Sequence, residues 1–252
     1  MGNPLIPADG VWALSANKLN IFNSCPFHYY LYATHQDGAI EDTKYITCGQ
    51  AVHQYMEDKN NGCAQSPEYY FDKWEVPEEM RERFNTCIEN AEEFLHLKGT
   101  SELTETTMFD TPKGRHINLS SRIDLQCEDA DVEGANPKLV IDWKTGRTLS
   151  KPEYLLQMQV YRFVRNFEYD AMLVSLLTGE KKVISKSPKN YIPNMCDRLI
   201  DAVENNEFPR VYNNVTCPRF CPYYEKFCSE EHKYDLIVPK MNWDSEKGVW
   251  TE

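Results

Sequence analysis

Nowhere in the 252 residues does an uninterrupted apolar run approach the roughly 18 residues of a membrane span, so no membrane partner is expected. The start, Met1-Gly2-Asn3-Pro4, is polar and carries none of the features of a secretory signal. The expectation is a soluble, cytoplasmic chain. A Gly-x-x-x-x-Gly-Lys-[Ser/Thr] phosphate loop is missing, which excludes a recognisable nucleotide-driven motor. Internal repeats and low-complexity segments are missing too. Positive charge is scarce: 27 Lys and Arg stand against 39 Asp and Glu, for a formal net charge of -12. Such a balance argues against a protein that coats long duplexes through nonspecific phosphate contacts.

Cysteine is plentiful by contrast, with nine in the chain. Without a secretory signal, nine thiols point to reduced or metal-bound sulfur rather than a disulfide framework. Three of them, Cys217, Cys221 and Cys228, fall in the proline-containing stretch Cys217-Pro218-Arg219-Phe220-Cys221-Pro222, continued by Tyr223 to Cys228. Thiolates so grouped suit a soft metal, and iron and zinc both qualify. Cys48, Cys63, Cys87, Cys127 and Cys196 lack ligand-like grouping and read as small buried hydrophobes or free thiols.

The stretch richest in chemistry is Asp142-Trp143-Lys144, which ends the apolar run Leu139-Val140-Ile141. Side chains alternate along a strand, so Asp142 and Lys144 share one face while Ile141 and Trp143 occupy the other. A carboxylate that can hold a divalent ion beside a fixed ammonium suits phosphodiester hydrolysis. An alternating segment, Ile117 to Leu125, carries Asp124 near its end and reads as the hairpin partner of the Asp142 strand. Two carboxylates on neighbouring strands repel unless a cation lies between them. In the helical pattern that begins at Glu153, Gln157 and Tyr161 are four apart and share a face. Gly49-x-x-x-His53 places an imidazole on another helix, where it could complete a metal site.

In this order, Gly49-x-x-x-His53, Asp124, Asp142-x-Lys144 and Gln157-x-x-x-Tyr161 resemble the PD-(D/E)XK nuclease superfamily. They resemble in particular its RecB-like branch, with its CRISPR-associated nucleases, helicase-nuclease subunits and phage exonucleases. Leu14 to Leu31, which contains Cys25-Pro26, is similar to the opening helix of that branch, and the resemblance spans roughly residues 14 to 228. It implies an α/β fold with a restriction-endonuclease-like core, a central mixed sheet flanked by helices, and a cysteine-cluster subdomain joining the N- and C-terminal segments. It also implies a Mg- or Mn-dependent exonuclease acting on DNA, single-stranded or with free ends, in a bacterial, archaeal or phage-infected cell. Asp124 and Asp142 would be the principal metal ligands, assisted by His53 and the main-chain carbonyl of Trp143. Lys144 would activate the attacking water, and Gln157 and Tyr161 would orient the strand. In the iron-sulfur members one cysteine comes from the first helix, here Cys25, and would join Cys217, Cys221 and Cys228 around a 4Fe-4S cluster. The spacing here, Cys-x3-Cys-x6-Cys, departs from the usual Cys-x2-Cys-x5-Cys, and zinc stays open as the alternative.

The length suits one elaborated domain. Its expected parts are a cluster region (residues 14–35 with 206–232), a catalytic core (100–190) and a tail (233–252) containing Trp243 and Trp250. Helices are expected over about Ser15–Ala33, Cys48–Lys59, Pro77–Leu97 and Pro188–Asn205, and around Gln157. Strands are expected near Glu102–Phe109, Arg115–Cys127, Lys138–Lys144, Ala171–Leu177 and Lys181–Lys186. From Lys144 to Asn190, nine Lys or Arg face four acids, a candidate DNA track. A different class of function is a noncatalytic DNA-binding or scaffold subunit of a recombination or CRISPR adaptation complex, which the acidic balance and the tail would suit. Ser15-x-x-Lys18 and Lys144-Thr145-Gly146 echo a serine acyl-transfer enzyme, but the Ser-Asp-Asn element is missing.

Overall fold

A computed structural model of the chain describes residues 5–35, 43–214 and 216–229, and in the C-terminal tail the backbone of residues 242–244 and 249–251. The chain divides into two compact units: residues 1–41, 107–120 and 188–252, and residues 42–106 and 121–187. Two long strands, β2 (Thr100–Asp110) and β3 (His116–Cys127), pass from one unit into the other.

The second unit is built on the latter half of β3 with β4 (Leu139–Lys144), β5 (Asp170–Ser175) and β6 (Lys181–Ile184). β4 runs antiparallel to β3, with Leu125 opposite Ile141, as the hairpin pattern of the sequence implies. β4 and β5 are parallel, and α6 (Pro152–Val164) makes the crossover that such a pair requires. β6 returns antiparallel to β5. Leu139, Val140 and Ile141 are wholly buried, which explains why β4 reads as a continuous apolar run: helices cover both faces of the sheet. On one face Val140, Ala171 and Leu173 pack with Met158 and Tyr161 of α6. On the other, Leu139, Ile141, Trp143, Met172 and Val174 meet α3 (Lys44–Asn60), α4 (Pro67–Lys73) and α5 (Arg81–Ala91). Gly99, just before β2, tolerates no side chain, since a Cβ there would lie 1.8 Å from the Gln126 carbonyl oxygen.

In the first unit β1 (Val11–Ser15) lies parallel to the start of β3, from Val11 opposite His116 to Ser15 opposite Ser120. Ser15 then caps α1 (Ala16–Ser24), its hydroxyl accepting from the Lys18 N–H at 3.3 Å. Cys25 is extended, and Pro26 opens α2 (Pro26–Ala33) where a missing N–H costs nothing. The helix expected over Ser15–Ala33 is therefore two helices hinged at Cys25. α7 (Tyr191–Asn205) ends in the left-handed Asn206 and holds the β2–β3 turn through Asp197, Asp201 and Glu204, spaced so that all three share one face. Arg115 reaches each of them, at 3.0, 2.7 and 2.5 Å, and the Thr111 hydroxyl donates to buried Asp197 at 2.5 Å. Two short helices follow, α8 (Cys217–Phe220) and α9 (Tyr224–Phe227). In the tail, β7 (Asn242–Asp244) and β8 (Val249–Thr251) pair antiparallel. The rest of the expected tail, and residues 230–232 of the expected cluster region, lie outside the described residues.

Two members of the basic segment after Lys144 are spent internally. Arg162 is buried, donating to the Tyr169 carbonyl at 3.0 Å and pairing with Asp170, and Arg165 pairs with Glu105 at 2.5 Å. Arg147, Lys151, Lys181, Lys182, Lys186 and Lys189 remain exposed.

Candidate metal centre

The antiparallel pairing that sets Leu125 opposite Ile141 leaves Asp124 and Asp142, next in sequence, at the same end of the β3–β4 pair. Asp142 is 1% exposed, and its carboxylate meets the Lys144 ammonium at 2.5 Å. A buried carboxylate so placed requires a cation, and removing either partner would strand a charge in a poorly solvated site. Lys144 Nζ also donates to Gln157 Oε1 at 3.0 Å, and Gln157 Nε2 donates to the Tyr161 hydroxyl at 2.7 Å. That hydroxyl has one proton facing two acceptors, the Arg122 carbonyl at 2.5 Å and Asp142 Oδ1 at 3.1 Å. Asp142, Lys144, Gln157 and Tyr161 thus close a ring of polar contacts. Tyr161 is 1% exposed, so its hydroxyl acts inside this ring and offers no surface to a strand.

His53 Nδ1 lies 3.4 Å from Asp124 Oδ2, which also accepts from the Trp143 backbone N–H at 2.8 Å. The Trp143 ring packs in the core 5.8 Å from Phe94, fixing the strand that carries Asp142 and Lys144. Gly49 lies beside the end of β4, where a Cβ would sit 3.4 Å from Thr145 Oγ1, an ordinary contact. A group the sequence reading missed completes the arrangement: Glu102 offers an oxygen within 4.8 Å of donor atoms of His53 and Asp124. No periodic signal marks it, because Glu102 reaches the site from a residue of β2 in the left-handed region, with φ of 51°.

The electrostatics ask for a cation. Burial, then the neighbouring Asp142 charge, raise the Asp124 carboxyl well above its ordinary range despite Lys144. Burial lowers the His53 imidazole and so keeps it neutral, the form that binds a metal. Burial alone would lower Lys144, but the Asp142 and Asp124 charges prevail and its pKa is raised, so it stays an ammonium. Two carboxylates, Glu102 and Asp124, and one imidazole form a mainly hard donor set that fits Mg or Mn, while Asp142 stands outside that group with its oxygens on Lys144 and Tyr161; a bound ion would relieve the repulsion that raises Asp124.

The four proposed cluster ligands lie in the other unit, all half-buried. Val211 donates its N–H to Cys25 Sγ at 3.4 Å, and Asn213 donates to Cys217 Sγ at 3.2 Å. The x3 spacing is one helical turn: the Cys221 N–H donates to the Cys217 carbonyl across α8, at 3.2 Å. α9 takes up most of the longer interval and ends at Cys228. Burial raises the thiol pKa of both Cys221 and Cys228. Among the described residues, no three of these sulfurs come within 4.8 Å of one another. Cys48, Cys87, Cys127 and Cys196 are wholly buried, as small hydrophobes would be, and Cys63 is exposed.

The PD-(D/E)XK nuclease superfamily matches residues 13–228. The chain belongs to that superfamily. Membership makes it a metal-dependent nuclease in the general sense, with DNA as the substrate the fold suggests. One similar solved structure is titled "Crystal structure of SSO0001", at 14% identity over 87% of each chain with a TM-score of 0.47. A comparison with curated proteins gave no match. Among the described residues no helix of this superfamily member is long and apolar enough to cross a membrane.

Proposed function

We propose that this chain is a Mg- or Mn-dependent deoxyribonuclease that hydrolyses DNA from its ends and carries a 4Fe-4S cluster on Cys25, Cys217, Cys221 and Cys228. The observation that carries the reading is the ring of Asp142, Lys144, Gln157 and Tyr161 beside His53, Asp124 and Glu102. His53, Asp124, Asp142 and the Trp143 carbonyl would hold the ion, with Glu102 added to them. A divalent ion held there would supply polarisation of the scissile phosphate and a lower pKa for the attacking water. Lys144 orients that water and steadies the charge gathering on the phosphate oxygens. Gln157 and Tyr161 are positioning residues: Gln157 fixes the Lys144 ammonium, and Tyr161 fixes Gln157 and Asp142.

The acidic balance of the chain favours engagement at ends over coating of duplexes. Single zinc would draw four sulfurs to about 3.8 Å of one another, from Zn–S bonds of about 2.3 Å in a tetrahedron. The RecB-like resemblance is what favours an iron-sulfur cluster, whose thiolates bind separate irons, over a single zinc. The RecB-like resemblance supports a cytoplasmic setting in recombination, CRISPR adaptation or phage DNA metabolism. The test is anaerobic purification with an absorption spectrum and iron and zinc analysis, then a Mn-dependent assay on end-labelled DNA. A brown, iron-containing protein that shortens DNA from its ends is expected, with Lys144→Ala inactive but still iron-loaded. Colourless, iron-free and inactive protein, or retained Mn-dependent cutting by Lys144→Ala, overturns the reading.

A further inference from the structure

Tyr45 stands in the first turn of α3 and is 53% exposed, next to Ile46 at 47%. Tyr45, Gly49 and His53 are spaced four apart and so follow one face of the helix. Eight residues of helix rise separate the exposed ring from His53, about 12 Å. The ring carries cations: the Arg83 guanidinium lies 5.2 Å from its centroid and Lys44 Nζ lies 5.6 Å away. Arg83 in turn donates to the carbonyl of Thr145, the residue after Lys144, at 2.5 Å. Among the described residues no carboxylate pairs with Arg83, so its charge remains available to an incoming anion.

The other side of Lys144 is built in the same way. Tyr154, half-buried at the start of α6, has Lys144 Nζ 4.8 Å and Lys151 Nζ 5.3 Å from its ring. Its hydroxyl lies close to Gly146, where a Cβ would be 3.6 Å from it. Two tyrosine rings, each with cations against it, therefore bracket the segment Lys144-Thr145-Gly146. Lys44 is held by Glu79 at 2.9 Å and Lys144 by Asp142, which leaves Arg83 beside exposed Tyr45 and Lys151 beside half-buried Tyr154 as the cations without an ion pair among the described residues. Aromatic rings interleaved with such charge are what a single nucleic-acid strand uses, its bases stacking on the rings and its phosphates meeting the cations. A base inside a duplex is already stacked and paired, and offers no such face.

Resting on the nuclease reading above, we propose that Tyr45 and Arg83 form a base-stacking step for single-stranded DNA. They would grip the strand on one side of the scissile phosphate while Tyr154 and Lys151 line the other. At about 3.4 Å per stacked nucleotide, 12 Å puts the stacked base three to four nucleotides from the bond that is cut. The substrate of the centre is then a frayed or single-stranded end, and a blunt duplex has to melt by that length first.

The test replaces Tyr45 by Ala, Phe and Trp and measures binding with Ca in place of Mg, using an oligonucleotide with 2-aminopurine moved one position at a time. In the native protein, fluorescence is expected to be quenched when the probe sits three to four nucleotides from the cleavage site mapped in Mn. Tyr45→Ala should abolish that quenching and weaken single-strand binding about tenfold, within the range of one stacked base. Tyr45→Phe and Tyr45→Trp should restore both. In Mn, Tyr45→Ala should raise KM on single strands and leave kcat near the native value. If the native protein cleaves DNA but Tyr45→Ala binds, quenches and cleaves like it, the stacking step is overturned and the nuclease reading stands. If the native protein cleaves no DNA in Mg or Mn, the nuclease reading fails and this proposal falls with it.

Discussion

Glu102 holds its carboxylate beside His53 and Asp124 from a backbone with φ of 51°, a conformation that costs a non-glycine residue about 1–3 kcal/mol. Its ion pair with Arg122 is open to water on the arginine side, where the side chain is 70% exposed, and adds little. Strain retained at such a position is consistent with a ligand. Glu102→Gln is expected to lower Mn affinity about tenfold in a calorimetric titration, a change of the size seen when groups around a metal are altered. The metal-free protein should not lose thermal stability, because one charge leaves a repelling cluster. Asp201 behaves in the opposite sense. Hydrogen bonds from Lys113 and Arg115 hold its carboxyl below the ordinary range, against a smaller effect of burial. A lowered native pKa stabilises the fold fully above the unfolded value of about 4, and the gain is lost as pH falls through the native value. Melting temperature should therefore drop as pH is taken from 5 to 2, and Asp201→Asn should flatten that fall.

At the scale of the element, α5 anchors the helical layer behind Trp143. Phe84 is 1% exposed and meets Phe71 of α4 edge-on at 5.4 Å. Phe84→Ala should cost about 3–5 kcal/mol in chemical unfolding, and a smaller loss would mean that the layer closes over the cavity. The long and strongly patterned elements were readable in the sequence: the β3–β4 pair from its alternation and apolar run, and α6 from its period, whereas one helix expected over Ser15–Ala33 divides at Cys25-Pro26. β1 was not, because its five residues pair with a strand about a hundred positions away and carry no local sign of it. α4 was missed although Ser66 and Pro67 mark its start, the Ser66 hydroxyl accepting from the Tyr69 N–H. In the site, Asp124, Asp142, Lys144, Gln157, Tyr161 and His53 were legible because each sits at a strand or helix period. Glu102 was not, since a left-handed residue breaks the alternation by which a strand is read.

At the scale of the whole molecule, the proposed cluster ties sulfurs that lie about 190 residues apart in sequence. Joining such distant points would restrict the unfolded chain, so a metal bound there would contribute to stability as well as to shape. Cys221→Ser should therefore lose visible absorption and iron, and melt at a lower temperature than the native protein in the same anaerobic buffer. Equal iron content in both proteins would remove Cys221 from the ligand set.

The antiparallel pairing of β3 with β4 also decides which changes in length the chain can survive. A residue inserted between Asp142 and Lys144 would turn the carboxylate and the ammonium to opposite sides of β4, because side chains alternate with every position. Between Glu133 and Gly134 the backbone is exposed and Gly134 turns with φ of 78°, so added residues there leave the register of both strands untouched. Relatives of this chain should accordingly differ in length at residues 133–136 and keep the distance from Asp142 to Lys144 fixed.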